Sequence, residues 1–288
     1  MTTADLIIGD ALTTLRKFDD GVFDCCVTSP PYYKLRDYTV EGQLGQEKTP
    51  EEYIYNLDVI LGEVYRVLKP QGTLWLNLAD TYHNKELLCI PWRVAWSVRY
   101  TGWKLRQDII WHKTNSMPES VKDRCTKAHE YIFLFFKQSP YYFDHEAILE
   151  EATGYDGRKD TYYKGGNKDM SGGAHERWRY KNLQDKGQPV NSFHLSRLEG
   201  KEYMSPVRNK RSVWTVSNKP LKEAHFATFP PDLIEPCILA GCPEGGTVLD
   251  PFNGAGTTGL VALKHSRNYV GIDLNPEYIE ISRKRLGL

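Results

Sequence analysis

The chain has 288 residues, 40% hydrophobic and 26% charged, enough for one large α/β domain carrying an inserted subdomain. Its 37 basic and 37 acidic residues cancel, so net charge points to no partner. No apolar run reaches the roughly eighteen residues of a membrane span, and the start, MTTADLIIGD, lacks a secretory pattern; a cytoplasmic protein is expected. The six cysteines form no CxxC pair, which favours neither a zinc site nor a disulfide framework, and no metal is expected.

In chain order, residues 6–8 predict a strand, 11–18 a helix, and 23–28 a buried strand stopped by Pro30 and Pro31. Pro50 opens a helix whose apolar residues Leu57, Ile60, Leu61, Val64, Val67 and Leu68 recur at helical spacing until Lys69-Pro70-Gln71-Gly72. Strands follow at 73–78, 108–113 and 131–137, with a helix at 91–99. The rhythm is lost over 139–222, which predicts an insertion. It returns with a helix at 231–241, a strand at 247–249, a helix at 257–264, a strand at 269–273 and a helix at 276–286. Alternation of this kind predicts a doubly wound, mostly parallel sheet. The expected organisation is 1–138 and 223–288 as the two parts of one α/β domain, interrupted by 139–222.

Two motifs carry chemistry. In VLDPFNGAGTTG (248–259) a strand ends, glycines let the backbone turn close to a ligand, and a helix begins. Gly254, Gly256 and Gly259 satisfy GxGxxG, and Asp273 stands nineteen residues beyond Gly254, where an acid accepts hydrogen bonds from ribose hydroxyls. By itself this motif equally describes an NAD-dependent oxidoreductase. The second motif is FDCCVTSPPYY (23–33), in which consecutive prolines fix their φ angles and leave carbonyls aimed in set directions. The Ser29 hydroxyl, the Pro30 carbonyl, Pro31 and the Tyr32 ring together suit a planar group bearing an NH2. Both motifs sit at strand carboxyl ends, where a doubly wound sheet binds ligands. A dehydrogenase has no use for such a clamp.

TSPPYY followed by DPFNGAGTT resembles the β group of amino-DNA-methyltransferases, and the resemblance covers most of the chain. It implies a circularly permuted sheet of the class I S-adenosylmethionine-dependent methyltransferase type. The cofactor would be S-adenosyl-L-methionine, held by Asp10, Thr28, Asp250, Pro251 and Phe252, by Gly254, Gly256, Thr257 and Thr258, and by Asp273 on the ribose. The base would flip out of the duplex and stack on Tyr32. Ser29 and the Pro30 carbonyl would hold its exocyclic amine, so that the nitrogen lone pair is freed from the ring. Ser before Pro-Pro-Tyr accompanies N4-cytosine more often than N6-adenine in the family, so cytosine is favoured and adenine is the alternative. Cytosine C5 chemistry needs a cysteine nucleophile; Cys237, inside a predicted helix, reads as packing.

The same resemblance makes 139–222 the target recognition region. From Tyr155 to Lys222 fifteen Lys and Arg face seven Asp and Glu, interleaved with aromatics. Arg177, Arg179, Arg208, Lys210 and Arg211, clustered beside Trp178, Tyr180 and Trp214, are the candidate DNA contacts. The expected partners are double-stranded DNA and, as an option, a second copy of the chain. A DNA-binding module without catalysis could keep the basic stretch but would not need both motifs.

Overall fold

The computed structural model describes residues 2–151, 207–218 and 229–288. The chain divides into two compact units, one of residues 1–148 with 211–288 and the other of residues 149–210. The first unit begins with β1 (Ala4–Ile8), α1 (Ala11–Leu15), β2 (Phe23–Thr28), α2 (Pro50–Val67) and β3 (Leu68–Leu78). A small hairpin of β4 (Tyr82–His83) and β5 (Glu86–Leu87) precedes α3 (Ile90–Ser97), then come β6 (Lys104–His112) and β7 (His129–Phe136). In the second unit β8 (Glu150–Glu151) pairs antiparallel with β9 (Val207–Arg208), and Arg208 Nε donates to Glu150 Oε1 at 2.9 Å. The first unit resumes with β10 (Val213–Thr215), α4 (Pro231–Gly241), β11 (Thr247–Asp250), α5 (Thr257–Lys264), β12 (Asn268–Asp273) and α6 (Pro276–Leu286).

Eight of these strands form one sheet in the order β1-β12-β11-β2-β3-β7-β6-β10. The pairs from β1 to β3 are parallel, β7 runs antiparallel to both neighbours, and β10 is parallel to β6. The first strand of the chain thus lies beside the last, Ala4 opposite Tyr269 and Ile8 opposite Asp273. This is the permuted, mostly parallel α/β sheet expected from the sequence. Near-continuous apolar strands bury both faces, because side chains alternate across a sheet with helices on each side. Leu74 and Leu76 join the core under α1, α2 and α3. Trp75, between them, joins the core under α4, α5 and α6 with Cys25, Val27, Cys237 and Val261.

Several boundaries differ from expectation, each for a local reason. The helix expected over 11–18 ends at Leu15, and tight bonds from the Lys17 amide to Thr14 O and the Phe18 amide to Leu15 O close it. Residues 69–72 lie inside β3 rather than in a turn, and a register shift between Phe23 and Cys25 absorbs them. β6 begins four residues earlier than the apolar pattern, because most of residues 104–108 are exposed and show no alternation. The stretch 139–222 is wider than the second unit. At its start the Tyr142 amide donates to Gln71 O, the Asp144 amide donates to Ala240 O, and Phe143 stacks on Trp75 at 6.2 Å. At its end β10 extends the sheet and buries Trp214. Among the described residues no helix is long and apolar enough to cross a membrane, and no group of three or more His, Cys, Asp or Glu could hold a metal ion.

Candidate active site

Strand order reverses between β11 and β2, and the loops leaving the carboxyl ends of β1, β2, β11 and β12 open around that point. They border a cavity of about 930 Å³, at the upper end of the roughly 300–1,000 Å³ of small-molecule sites. One wall is the glycine turn after β11. The Asn253 amide donates to Ile272 O at 2.8 Å, the Gly256 amide donates to Asn253 O at 2.9 Å, and the Asn253 side chain accepts from the Tyr269 hydroxyl at 2.7 Å. Gly254 (φ +51°) and Gly256 (φ +75°) take the left-handed conformation that closes the turn. The Gly254 amide donates to Asp273 Oδ2 at 2.7 Å and the Asn275 amide to Asp273 Oδ1 at 2.9 Å, which fixes that carboxylate at the rim of β12.

The other wall is the double-proline corner after β2. The Pro31 carbonyl accepts from the Tyr53 hydroxyl of α2 at 3.0 Å, which ties the corner to the core. Ser29 Oγ donates to Tyr32 Oη at 3.1 Å, and Tyr32 Oη lies 2.7 Å from Glu130 Oε2 and 3.0 Å from Asn77 Oδ1. Lys113 pairs with Glu130 through its other oxygen. Burial, then the neighbouring Glu130 charge, pushes the Tyr32 phenol well above its ordinary value, so it stays protonated. Ser29, Pro30, Pro31 and Tyr32 share the cavity with Asp10, Pro251, Phe252, Gly254, Thr257 and Asp273. The double-proline corner and the glycine turn therefore face one space.

The family model described as DNA methylase matches residues 23–284. The chain is a member of that DNA methylase family. It is 40% identical to the type II methyltransferase M.XycI of Xanthomonas campestris pv. cyanopsidis over 98% of this chain and 87% of that one. It is 39% identical to M.Cfr9I of Citrobacter freundii over the same shares. Among solved structures, the PvuII DNA methyltransferase (cytosine-N4-specific) superposes with a TM-score of 0.69 at 20% identity, covering 99% of this chain and 86% of that one. The TTHA0409 protein of Thermus thermophilus, solved with S-adenosyl-L-methionine, gives 0.61 at 24% identity, covering 99% and 95%.

The methylase uses S-adenosyl-L-methionine, and its cavity fits that group. Each Asp273 oxygen accepts one backbone amide and keeps lone-pair capacity for a ribose hydroxyl. Burial pushes the Asp273 carboxyl up to about 6. Asp10 caps α1 by accepting from the Thr13 amide at 2.8 Å and lines the cavity beside Leu12 and Phe252. Thr28, Asp250, Gly256 and Thr258 belong to the layer behind the cavity surface, and none of them is among its lining residues. Asp250 is 1% exposed and its oxygens accept from Thr28 Oγ1 and Thr258 Oγ1, each at 2.6 Å. Those three residues lock the glycine turn to β2 from behind, and burial raises the Asp250 carboxyl to about 6. Cys237 is buried in α4, its thiol directed at Leu233 O.

Asn77, Lys113 and Glu130, which also line the cavity, lie outside both sequence motifs. The signal was there: an Asn and a Glu inside the apolar runs TLWLNL and EYIFLFF are rarely buried without partners. Of the five candidate DNA contacts, Arg208 lies on β9 and Lys210 closes the second unit. Arg211 precedes β10, and its carbonyl accepts from Trp214 Nε1 at 2.6 Å. Arg177 and Arg179, with Trp178 and Tyr180, lie outside the described residues.

Proposed function

We propose that this chain methylates N4 of a cytosine flipped out of a specific duplex sequence, as the modification enzyme of a type II system. The observation that carries the reading is the Ser29-Pro30-Pro31-Tyr32 corner facing the glycine turn and Asp273 across one cavity. Ser29 favours cytosine through the family correlation, and the type II names of relatives 40% and 39% identical support a site-specific modification role. The cofactor supplies an electrophilic methyl group at the sulfonium end. Asp273 would hold its ribose, Asp10 its adenine, and the turn from Gly254 to Thr257 its methionine part.

The protein's own contribution is positioning. An exocyclic amine is a poor nucleophile because its lone pair is delocalised into the ring. Ser29 Oγ and the Pro30 carbonyl would accept its two N–H bonds and favour a pyramidal nitrogen. The flipped base would rest on the Tyr32 ring, which its hydroxyl bonds hold in place. Alignment of the reacting atoms supplies several kcal/mol of the barrier without a covalent enzyme intermediate. The basic stretch containing Arg177, Arg179, Arg208, Lys210 and Arg211 is assigned to DNA. A second copy of the chain stays part of the reading; a one-chain mass by light scattering would remove it.

The test is chemical identification of the product. Unmethylated DNA incubated with the protein and S-adenosyl-L-methionine, digested to nucleosides and analysed by mass spectrometry, should yield N4-methylcytidine as its deoxynucleoside. N6-methyladenine would overturn the base assignment, and DNA with no added methyl would overturn the function.

A further inference from the structure

The Ser29 hydroxyl is ambivalent in isolation, since it can donate or accept. The groups behind it remove that freedom. Glu130 is 7% exposed, and its carboxylate can only accept. Asn77 is 3% exposed, and its Nδ2 donates to Glu130 Oε2 at 3.2 Å and to Tyr131 O at 3.0 Å. Both of those partners are acceptors, so the Asn77 amide is fixed with its Oδ1 towards Tyr32. The Tyr32 hydroxyl therefore faces two acceptors, Glu130 Oε2 at 2.7 Å and Asn77 Oδ1 at 3.0 Å. Its single proton goes to them, and its oxygen presents lone pairs to Ser29 at 3.1 Å. The one Ser29 proton is spent on Tyr32. What remains for the cavity is lone pairs.

We propose that Glu130, acting through the Tyr32 hydroxyl, fixes Ser29 as a hydrogen-bond acceptor and so selects target bases bearing an NH2 over those bearing a keto oxygen. Lys113 serves as the counter-ion that lets a carboxylate sit there. An amine donates into the Ser29 lone pairs. A keto oxygen in the same place meets lone pair against lone pair, and Ser29 cannot turn its hydrogen towards it without breaking the chain to Glu130. Glu130 borders the same cavity, and its part here is that of a positioning residue: through Tyr32 it sets the polarity of the Ser29 hydroxyl.

The inference rests on the proposed function, and one experiment separates the two. The site modified by the wild-type protein is first mapped in DNA. Binding is then measured to duplexes carrying that site with the natural target base or its keto counterpart, uracil for cytosine or hypoxanthine for adenine. The variants are Glu130→Gln, which keeps the size but can donate towards Tyr32, and Tyr32→Phe, which keeps the ring but cuts the chain. Both should lower the amino-over-keto affinity ratio by about two- to tenfold, the worth of one hydrogen bond. Calorimetric affinity for S-adenosyl-L-methionine should not change, which excludes a collapsed site. An unchanged ratio in both variants overturns the proposal. A fall in Tyr32→Phe alone removes Glu130 from it. Failure of the wild type to methylate DNA overturns the proposed function and this inference with it.

Discussion

Asp250 is buried and Asp273 partly buried, and both carboxyls are raised to about 6, yet their surroundings differ. Asp250 is closed off by two threonine hydroxyls, whereas Asp273 opens on the cavity. Burial disfavours the charged form, so Asp273 is ionised above about pH 6 and protonated below it. Ribose hydroxyls donate best to the ionised form. Affinity for S-adenosyl-L-methionine should therefore weaken as pH falls through about 6, and Asp273→Asn should bind weakly with that dependence lost. Calorimetry across the range from about pH 5 to about pH 8 checks this; a wild-type affinity flat over the range contradicts the ribose assignment. At this scale the sequence was partly legible. Ser29, Pro30, Tyr32 and Asp273 announce themselves by motif, because a corner and a turn need particular residues at fixed spacing. Asn77 and Glu130 do not, since each is a single polar residue whose partner lies on another strand. Asp250 belongs to the cofactor motif, and only the fold reveals that its oxygens accept from Thr28 and Thr258.

The glycine turn is the element on which the cofactor wall depends. Gly256 has φ +75°, and a Cβ there would lie 2.0 Å from Ser282 Oγ on α6. Gly256→Ala should cost on the order of 2–4 kcal/mol, from left-handed strain together with overpacking. Urea unfolding gives the number, and the variant Gly256→Ala with Ser282→Gly should recover the packing share only. A Gly256→Ala midpoint equal to wild type would show that the turn tolerates a side chain and is not fixed as described. Elements with strong periodicity, such as α2 and α6, were legible because burial of one face writes itself into the sequence. β10 was not. It has three residues, and it is a strand only because β6 offers Ile110, Trp111 and His112 as partners.

At the scale of the whole molecule, zero net charge means that affinity for DNA must come from where the charges sit. If Arg208, Lys210 and Arg211 contact phosphate, each change to Ala should make the salt dependence of binding shallower by about one unit of slope. Arg208 already pairs with Glu150, so its binding to DNA would have to compete with that bond. Slopes equal to wild type in all three would move recognition elsewhere. The two motifs lie far apart along the chain, at 23–33 and 248–259. The sheet still brings β2 and β11 side by side, Cys25 opposite Val248, and places both motifs on one cavity. The most direct test of this convergence is single-turnover methyl transfer to DNA by wild type, Ser29→Ala and Ser29→Ala with Tyr32→Ala, with cofactor affinity measured in parallel. Turnover should fall in Ser29→Ala and further in the double variant, Tyr32 stacking alone being worth roughly 1–3 kcal/mol, while S-adenosyl-L-methionine binds all three alike. Wild-type turnover in the double variant would contradict the assignment of the double-proline corner as the place where the amine is held.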